Sequence, residues 1–290
     1  SVAPDLQRSG MITDAVWTDI NHDQSEDLIV VGEWMPVSIF INTNGKLKRE
    51  TDKYFDKRYS GWWNKIVVKD INNDQKPDLL IGNMGLNTQF RISDQEPAEL
   101  YFKDFDNNGS VDPFLCFYIQ GKSFPYVTRD EMLEQIGSLR KRFTTYQSYA
   151  DIALKDIYNE QELGSAGHLQ ANHMETTFFI SGAGEKFNVL SLPLQAQYSP
   201  VHTITVLDYN KDGFDDVLLC GNNNHTKIRM GKFDANYGVL LKGNGKGDFQ
   251  YVNQSTSGFR LMGDVRSVIE LNKTLFFGIG QRNIIAYKAK

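Results

Sequence analysis

Four short stretches repeat one spacing of acidic and amide side chains: DINHDQSED from Asp19, DINNDQKPD from Asp70, DFDNNGSVD from Asp104 and DYNKDGFDD from Asp208. Each sets an oxygen-bearing side chain at positions 1, 3, 5 and 9 of a nine-residue loop. The four sets are Asp19, Asn21, Asp23 and Asp27; Asp70, Asn72, Asp74 and Asp78; Asp104, Asp106, Asn108 and Asp112; and Asp208, Asn210, Asp212 and Asp216. Alternate residues of a tight loop turn their oxygens toward one point, and hard oxygen ligands at that density suit Ca²⁺. Position 7 adds a backbone carbonyl. Up to four Ca²⁺ are therefore expected.

The flanks say what positions these side chains. An EF-hand needs a bidentate Glu at position 12 and a helix on either side, whereas position 12 is Val30, Ile81, Leu115 or Leu219. Instead, an apolar β-branched run precedes each loop (AVWTD, KIVVKD, ELYFKD, TITVLD) and another follows it (LIVVGEW, LLIGN, PFLCFYI, VLLCGN). Such runs bounded by turn chemistry read as strands, so each loop joins two antiparallel strands. Position 6 favours a left-handed backbone. Gly109 and Gly213 supply it in loops 3 and 4, but Gln24 and Gln75 stand there in loops 1 and 2. A non-Gly residue in that conformation costs about 1 kcal/mol, so the loops headed by Asp104 and Asp208 are expected to bind tightest.

The unit of strand, D-x-[DN]-x-[DN]-x-x-x-D loop and strand resembles the FG-GAP/VCBS repeat, the blade of calcium-bearing β-propellers such as those of integrin α chains. Phrases such as VVGEWMP (Val30 to Pro36), GWWN (Gly61 to Asn64) and the stretch from Gly121 to Asp151 are similar to a secreted bacterial subfamily associated with ASPIC/UnbV propellers. The resemblance implies an all-β fold, a β-propeller of about five recognisable blades, filling residues 1–290 as one domain or forming part of a larger chain. Gln24 and Gln75 depart from that family's usual Gly.

Composition fits this reading. The ligand positions hold twelve of the 36 acidic residues, and four bound Ca²⁺ would carry the formal charge from −5 to +3. The acidity is thus concentrated at the loops, and without a basic stripe or nucleic-acid motif no nucleic-acid partner is expected. No apolar run reaches the roughly 18 residues of a membrane span, and the N-terminus lacks a signal-peptide pattern. The chain opens at Ser1 without Met, so an upstream leader or domain is an expectation. Calcium modules of about 10⁻⁴ to 10⁻³ M affinity work outside the cytosol, which points to a secreted, periplasmic or cell-surface protein, monomeric or part of a longer chain. Cys116 and Cys220 occupy equivalent slots, four residues after the last Asp of their loops, and read as buried apolar residues rather than a disulfide.

Blade boundaries follow from turn signals. A first blade runs from about Met11 to Thr51 and includes an Asn44-Gly45 hairpin turn. A second, short one spans about Trp63 to Ser93. A third begins near Glu99, is interrupted after Tyr126, and resumes with the hairpin TTFFISGAGEKFNVLSL from Thr176. A fourth spans about Val201 to Asn253. The last shows three strands, near RSVIEL, LFFGIG and IIAYKA; either Ser1 to Gln7 supplies the fourth strand that closes the ring, or blades are missing upstream and the chain is a fragment of a larger ring.

The interruption reads as a helical insertion over 128–172 in the third blade. Thr128 and Glu131 form a capping box, and Met132, Leu133, Ile136, Leu139 and Phe143 recur at helical spacing, predicting a helix over about 129–143. A second helix is expected from near Ser148 through Ile157. The insertion is either a lid or partner surface on one face of the ring, or padding over a gap between blades.

Enzyme signals are thin: there is no H-E-x-x-H, no G-x-S-x-G and no phosphate-cradling loop. His22, His168, His173, His202 and His225 are scattered, and Asp130 with Glu131 is explained by a helix start. Trp17 reads as core. Trp34, Trp62 and Trp63 flank strand ends, where aromatic rings either stack on sugars or pack between blades, and Asn222 and His225 of GNNNH sit at an equivalent strand end. The leading expectation is a calcium-stabilised binding module for a glycan or extracellular protein ligand. The alternatives are a polysaccharide-active hydrolase or lyase on a propeller scaffold, or a purely structural adhesion module.

Overall fold

The computed structural model describes residues 2–288, with two compact units. Residues up to 88 together with those from 174 onward form the first; residues 89–173 form the second. Their strands make five antiparallel sheets among the described residues.

The first sheet is a meander of β1 (Met11–Thr18), β2 (Asp27–Pro36), β3 (Ser38–Thr43) and β4 (Lys46–Arg49). Asn44 and Gly45 both have positive φ, 54° and 80°, which makes the two-residue turn whose twist matches the strands it joins. After the short helix α1 (Thr51–Tyr54), β5 (Ser60–Trp62) pairs with the far end of β2. The second sheet starts with β6 (Lys65–Lys69) and β7 (Asp78–Gly82), and there the chain departs into the second unit.

That unit holds β8 (Ala98–Lys103), β9 (Asp112–Ile119), β10 (Lys122–Pro125), helices α2 (Arg129–Gln135), α3 (Leu154–Ile157) and α4 (Glu160–Gly164), and β11 (Gly167–Ala171). Its sheet runs β10-β9-β8-β11. The expected capping box at Thr128 and Glu131 is present, but α2 stops at Gln135, and a 3₁₀ turn over Gly137–Lys141 follows. The residues spaced for a helix do face inward: Met132, Ile136, Leu154 and Tyr158 pack on Phe114 and Cys116 of β9. These helices are the apolar cover of their own sheet, which a lid would not be.

The chain then returns as β12 (Thr177–Ile180) and β13 (Asn188–Ser191). The hairpin from Thr176 does not resume the third sheet; β12 pairs with β7, with Thr177 opposite Ile81 and Phe178 opposite Leu80. The insertion therefore interrupts the second sheet, not the third, and takes the loop headed by Asp104 with it. Two bonds close the gap it leaves: Gly85 N–H donates to the Met174 carbonyl at 2.8 Å, and Asn83 N–H to Thr176 Oγ1 at 3.1 Å.

The fourth sheet is β14 (Val201–Leu207), β15 (Asp216–Gly221), β16 (Val239–Gly243) and β17 (Phe249–Val252). The fifth has the three expected strands, β18 (Val265–Leu271), β19 (Thr274–Ile279) and β20 (Ile285–Lys288). A tight turn at Asn272 and Lys273, both with positive φ, replaces the acidic loop there.

The four sheets of the first unit stack in sequence over three apolar layers. Ile29, Val31 and Ile39 meet Leu79, Ile81 and Phe179; Leu80 and Phe178 meet Val217 and Leu219; Leu218, Cys220 and Leu240 meet Val265 and Phe277. The second strand of the first, second and fourth sheets is covered on both faces, which is why β2, β7 and β15 read as unbroken apolar runs. At their far ends the neighbouring backbone approaches too closely for a side chain. A Cβ on Gly32 would lie 2.1 Å from the Met11 carbonyl oxygen, and one on Gly221 1.8 Å from that of Pro200.

Two further expectations fail. Residues 2–6 do not extend the fifth sheet: the Val2 carbonyl accepts from Leu47 N–H at 2.8 Å, Asp5 Oδ2 accepts from Arg49 N–H at 3.1 Å, and Leu6 packs against Leu28, Val30 and Phe40 of the first sheet. Ser1 of that proposed strand lies outside the described residues. Trp17 is 53% exposed rather than core. Side chains of a strand alternate, and in β1 it is Val16 that joins the apolar layer.

Candidate functional site

The four acidic loops share one hydrogen-bond skeleton. Position 1 accepts two backbone N–H groups, from positions 5 and 6: Asp19 from Asp23 and Gln24, Asp70 from Asp74 and Gln75, Asp104 from Asn108 and Gly109, Asp208 from Asp212 and Gly213, all at 2.8–3.1 Å. Each loop curls through two left-handed residues. Position 6 is one of them in every loop, with Gln24 at φ 71° and Gln75 at 67° beside Gly109 at 90° and Gly213 at 86°. Position 4 is the other, held by His22, Asn73, Asn107 and Lys211. Asn visits that region readily, but nothing in His22 or Lys211 announces it.

Position 9 is the anchor. Asp27, Asp78, Asp112 and Asp216 are all buried, and each takes the N–H of position 2 on Oδ2. The other oxygen ties the loop to the third strand: Asp27 accepts from Asn42 N–H, Asp78 from Ser181 N–H and Asp216 from Gly243 N–H, at 2.7–2.9 Å. In the second unit that strand is absent at this level, and Gln135 Nε2 of α2 donates to Asp112 instead, at 3.1 Å. Burial pushes the carboxyls of Asp27, Asp78 and Asp216 above the usual carboxylate range, against the lowering effect of those N–H donors.

The loops differ at positions 3 and 5. In loops 1, 2 and 4 the amide at position 3 donates to the carboxylate at position 5: Asn21 to Asp23, Asn72 to Asp74 and Asn210 to Asp212, at 2.8–3.1 Å. Loop 3 has Asp106 at position 3, with no such donor. Asp104, Asp106 and Asp112 consequently bring a carboxylate oxygen each within 4.8 Å of one another, an arrangement that repels itself and favours a cation between the three. Loop 4 carries a further difference. Lys242 Nζ lies 2.9 Å from Asp212 Oδ2, and that ammonium, with the Asn210 amide, holds the Asp212 carboxyl below its usual range.

At the opposite ends of the strands the aromatic candidates separate. Trp34 and Trp62 come together edge to face, with ring centroids 5.1 Å apart, both half-buried. Trp34 sits at an irregularity of the β2–β5 pairing with φ 59°, a rare conformation for a bulky side chain. Trp63, by contrast, is fully buried in the layer between the first and second sheets. Asn222 is a structural clamp: its amide donates to the carbonyls of Asn236 and Gly263, and its oxygen accepts from Asn236 N–H and Ser199 Oγ. His225 is exposed and lines a cavity of about 310 Å³ at the ends of β15 and β19.

The remaining candidates have structural partners. His168 stacks on Tyr101 at 4.2 Å and meets Glu99 Oε1 at 3.1 Å. Asp130 pairs with Arg129 and accepts from Tyr146, and Glu131 closes the capping box. Neither Cys116 nor Cys220 forms a disulfide, and both are buried. Burial raises the Cys220 thiol to about 12.

Among curated proteins no relative matches the chain. Residues 19–81 match the family model of the FG-GAP-like repeat, a span from the first residue of loop 1 through loop 2 to the core of β7, so this stretch carries an FG-GAP-like repeat.

Proposed function

We propose that this protein is a calcium-stabilised binding module of the β-propeller type, acting outside the cytosol on a glycan or protein ligand. One observation carries the reading: four loops of unlike sequence repeat the same skeleton, in which a carboxylate at position 1 organises the loop backbone and a buried carboxylate at position 9 fastens it to the sheet. Hairpins made only for turning need no buried charge, and burying one unpaired is costly. The convergence of Asp104, Asp106 and Asp112 supports loop 3 as the strongest site. Loop 4 ranks below it because a cation must displace Lys242 from Asp212. Loops 1 and 2 bind with strained Gln24 and Gln75.

Stacked antiparallel sheets of three to five strands whose first strands are successive neighbours support the propeller reading. With the metals on the loop side, the opposite strand ends are the ligand side, where Trp34, Trp62 and His225 stand. The test is a pair of melting curves. At 10 mM, about ten to a hundred times a Kd of 10⁻³ to 10⁻⁴ M, a cation bound only to the folded state contributes about 1.4–2.7 kcal/mol per site, so 10 mM Ca²⁺ raises the Tm by several degrees over chelated protein. Coincident curves would sink the proposal.

A further inference from the structure

The cavity at the ends of β15 and β19 combines groups that no part of the fold uses. Lys232 and Asp234 make no side-chain hydrogen bond or ion pair among the described residues, and Arg282 spends one donor on the Met262 carbonyl. The buried Asp264 is already committed: it accepts from the backbone and side chain of Asn224 and lies 3.6 Å from Arg266. The uncommitted Lys232 ammonium and the remaining donors of Arg282 therefore line the cavity together with the uncommitted Asp234 carboxylate. Tyr237 and Met262, 40% and 47% exposed, add a ring face and an apolar edge. The walls are held in place by the Asn223–Phe233 bridge, the Asn222 clamp and the bond from Gly280 N–H to the Asp264 carbonyl.

We propose that this cavity binds a carboxylated sugar of the uronic acid class. The proposal rests on the binding-module reading above and names its site and ligand. A cavity of about 310 Å³ is at the small end of ligand sites and suits a sugar ring better than an extended peptide. The carboxylate meets Lys232 and Arg282, the latter as a planar fork that matches it. The C–H face of the ring lies on Tyr237. Asp234 and His225 then take ring hydroxyls. Inorganic phosphate would satisfy the cations, but it offers Asp234 charge repulsion in place of a hydroxyl donor.

Calorimetric titration of the intact, Ca²⁺-loaded protein with galacturonate and glucuronate oligomers tests this against neutral oligomers of equal length, inorganic phosphate and an Asp-rich peptide. Uronates should bind at least about tenfold tighter than neutral sugars, the yield of one charge-assisted hydrogen bond, and binding should weaken as salt rises. The exposed substitution Lys232→Gln, and Arg282→Gln and Tyr237→Ala as second variants, should each weaken binding at least about fivefold at unchanged Tm. Equal affinity for neutral sugars, phosphate or peptide overturns the assignment, as does unchanged affinity in the variants. If another glycan or a protein binds in a Ca²⁺-dependent way while uronates do not, this inference alone fails. If melting is also indifferent to chelator, the broader reading fails with it.

Discussion

Lys242 makes the fourth loop unlike its relatives, because its ammonium and the Asn210 amide share Asp212 Oδ2. Exposed ion pairs are weak, so Lys242→Met should tighten Ca²⁺ binding at loop 4 by about two- to fivefold, read by calorimetric titration. Position 6 offers a complementary test: Gln24→Gly and Gln75→Gly should each stabilise the chelated protein by about 0.5–1 kcal/mol, seen as a higher urea midpoint. Acidity acts through two opposed sets of groups. Asp27, Asp78 and Asp216 have folded pKa values raised by burial, so without metal their contribution to stability is complete below their unfolded pKa and is lost as pH rises through the folded values. His202, lowered by burial and then by Arg266 to about 4, contributes above its unfolded pKa near 6.5 and loses that contribution as pH falls through about 4. His202→Gln should therefore flatten the acid limb of a Tm-against-pH curve between those values, and Ca²⁺ should stabilise most at neutral pH, where the carboxylates are charged. The acidic loops and the left-handed backbone at Gln24 and Gln75 were legible because both are local. The Lys242 contact was not, since cross-strand register decides it.

Among elements, α2 shows how a helix can stand in for a strand. Gln135 supplies the donor that Asn42, Ser181 and Gly243 supply elsewhere from backbone. Gln135→Ala leaves a buried Asp112 oxygen without it, which should cost about 1–3 kcal/mol and appear as faster hydrogen exchange in β9 while the first unit is unaffected. The strands beside each loop could be read from their apolar runs, and the three strands of the last sheet likewise. The pairing of β12 could not: a hairpin of Phe178, Phe179 and Ile180 fits any apolar strand edge, and nothing local prefers β7 to β9. Trp17 misled for a related reason, since membership of a strand says nothing about which face a residue takes, whereas Trp63, just past the end of β5, proved the buried one.

At the scale of the molecule, the second unit enters and leaves the first through residues 83–85 and 174–176, which bond to one another. Replacing 89–173 by a short Gly-Ser linker should leave the thermal transition of the first unit within a few degrees of its intact value, monitored by circular dichroism, and should remove one site from the Ca²⁺ stoichiometry; domain insertions joined at adjacent ends tolerate such surgery. The same arrangement orders events during synthesis. Nascent β7 leaves the ribosome long before β12 exists, so one edge of β7 stays bare while the whole second unit emerges and folds behind it. An open strand edge in a growing chain invites pairing with a neighbour. Translation speed over the inserted unit thus sets how long that edge is exposed, and slowing it should raise the aggregated fraction of newly made protein without changing the stability of the protein that folds.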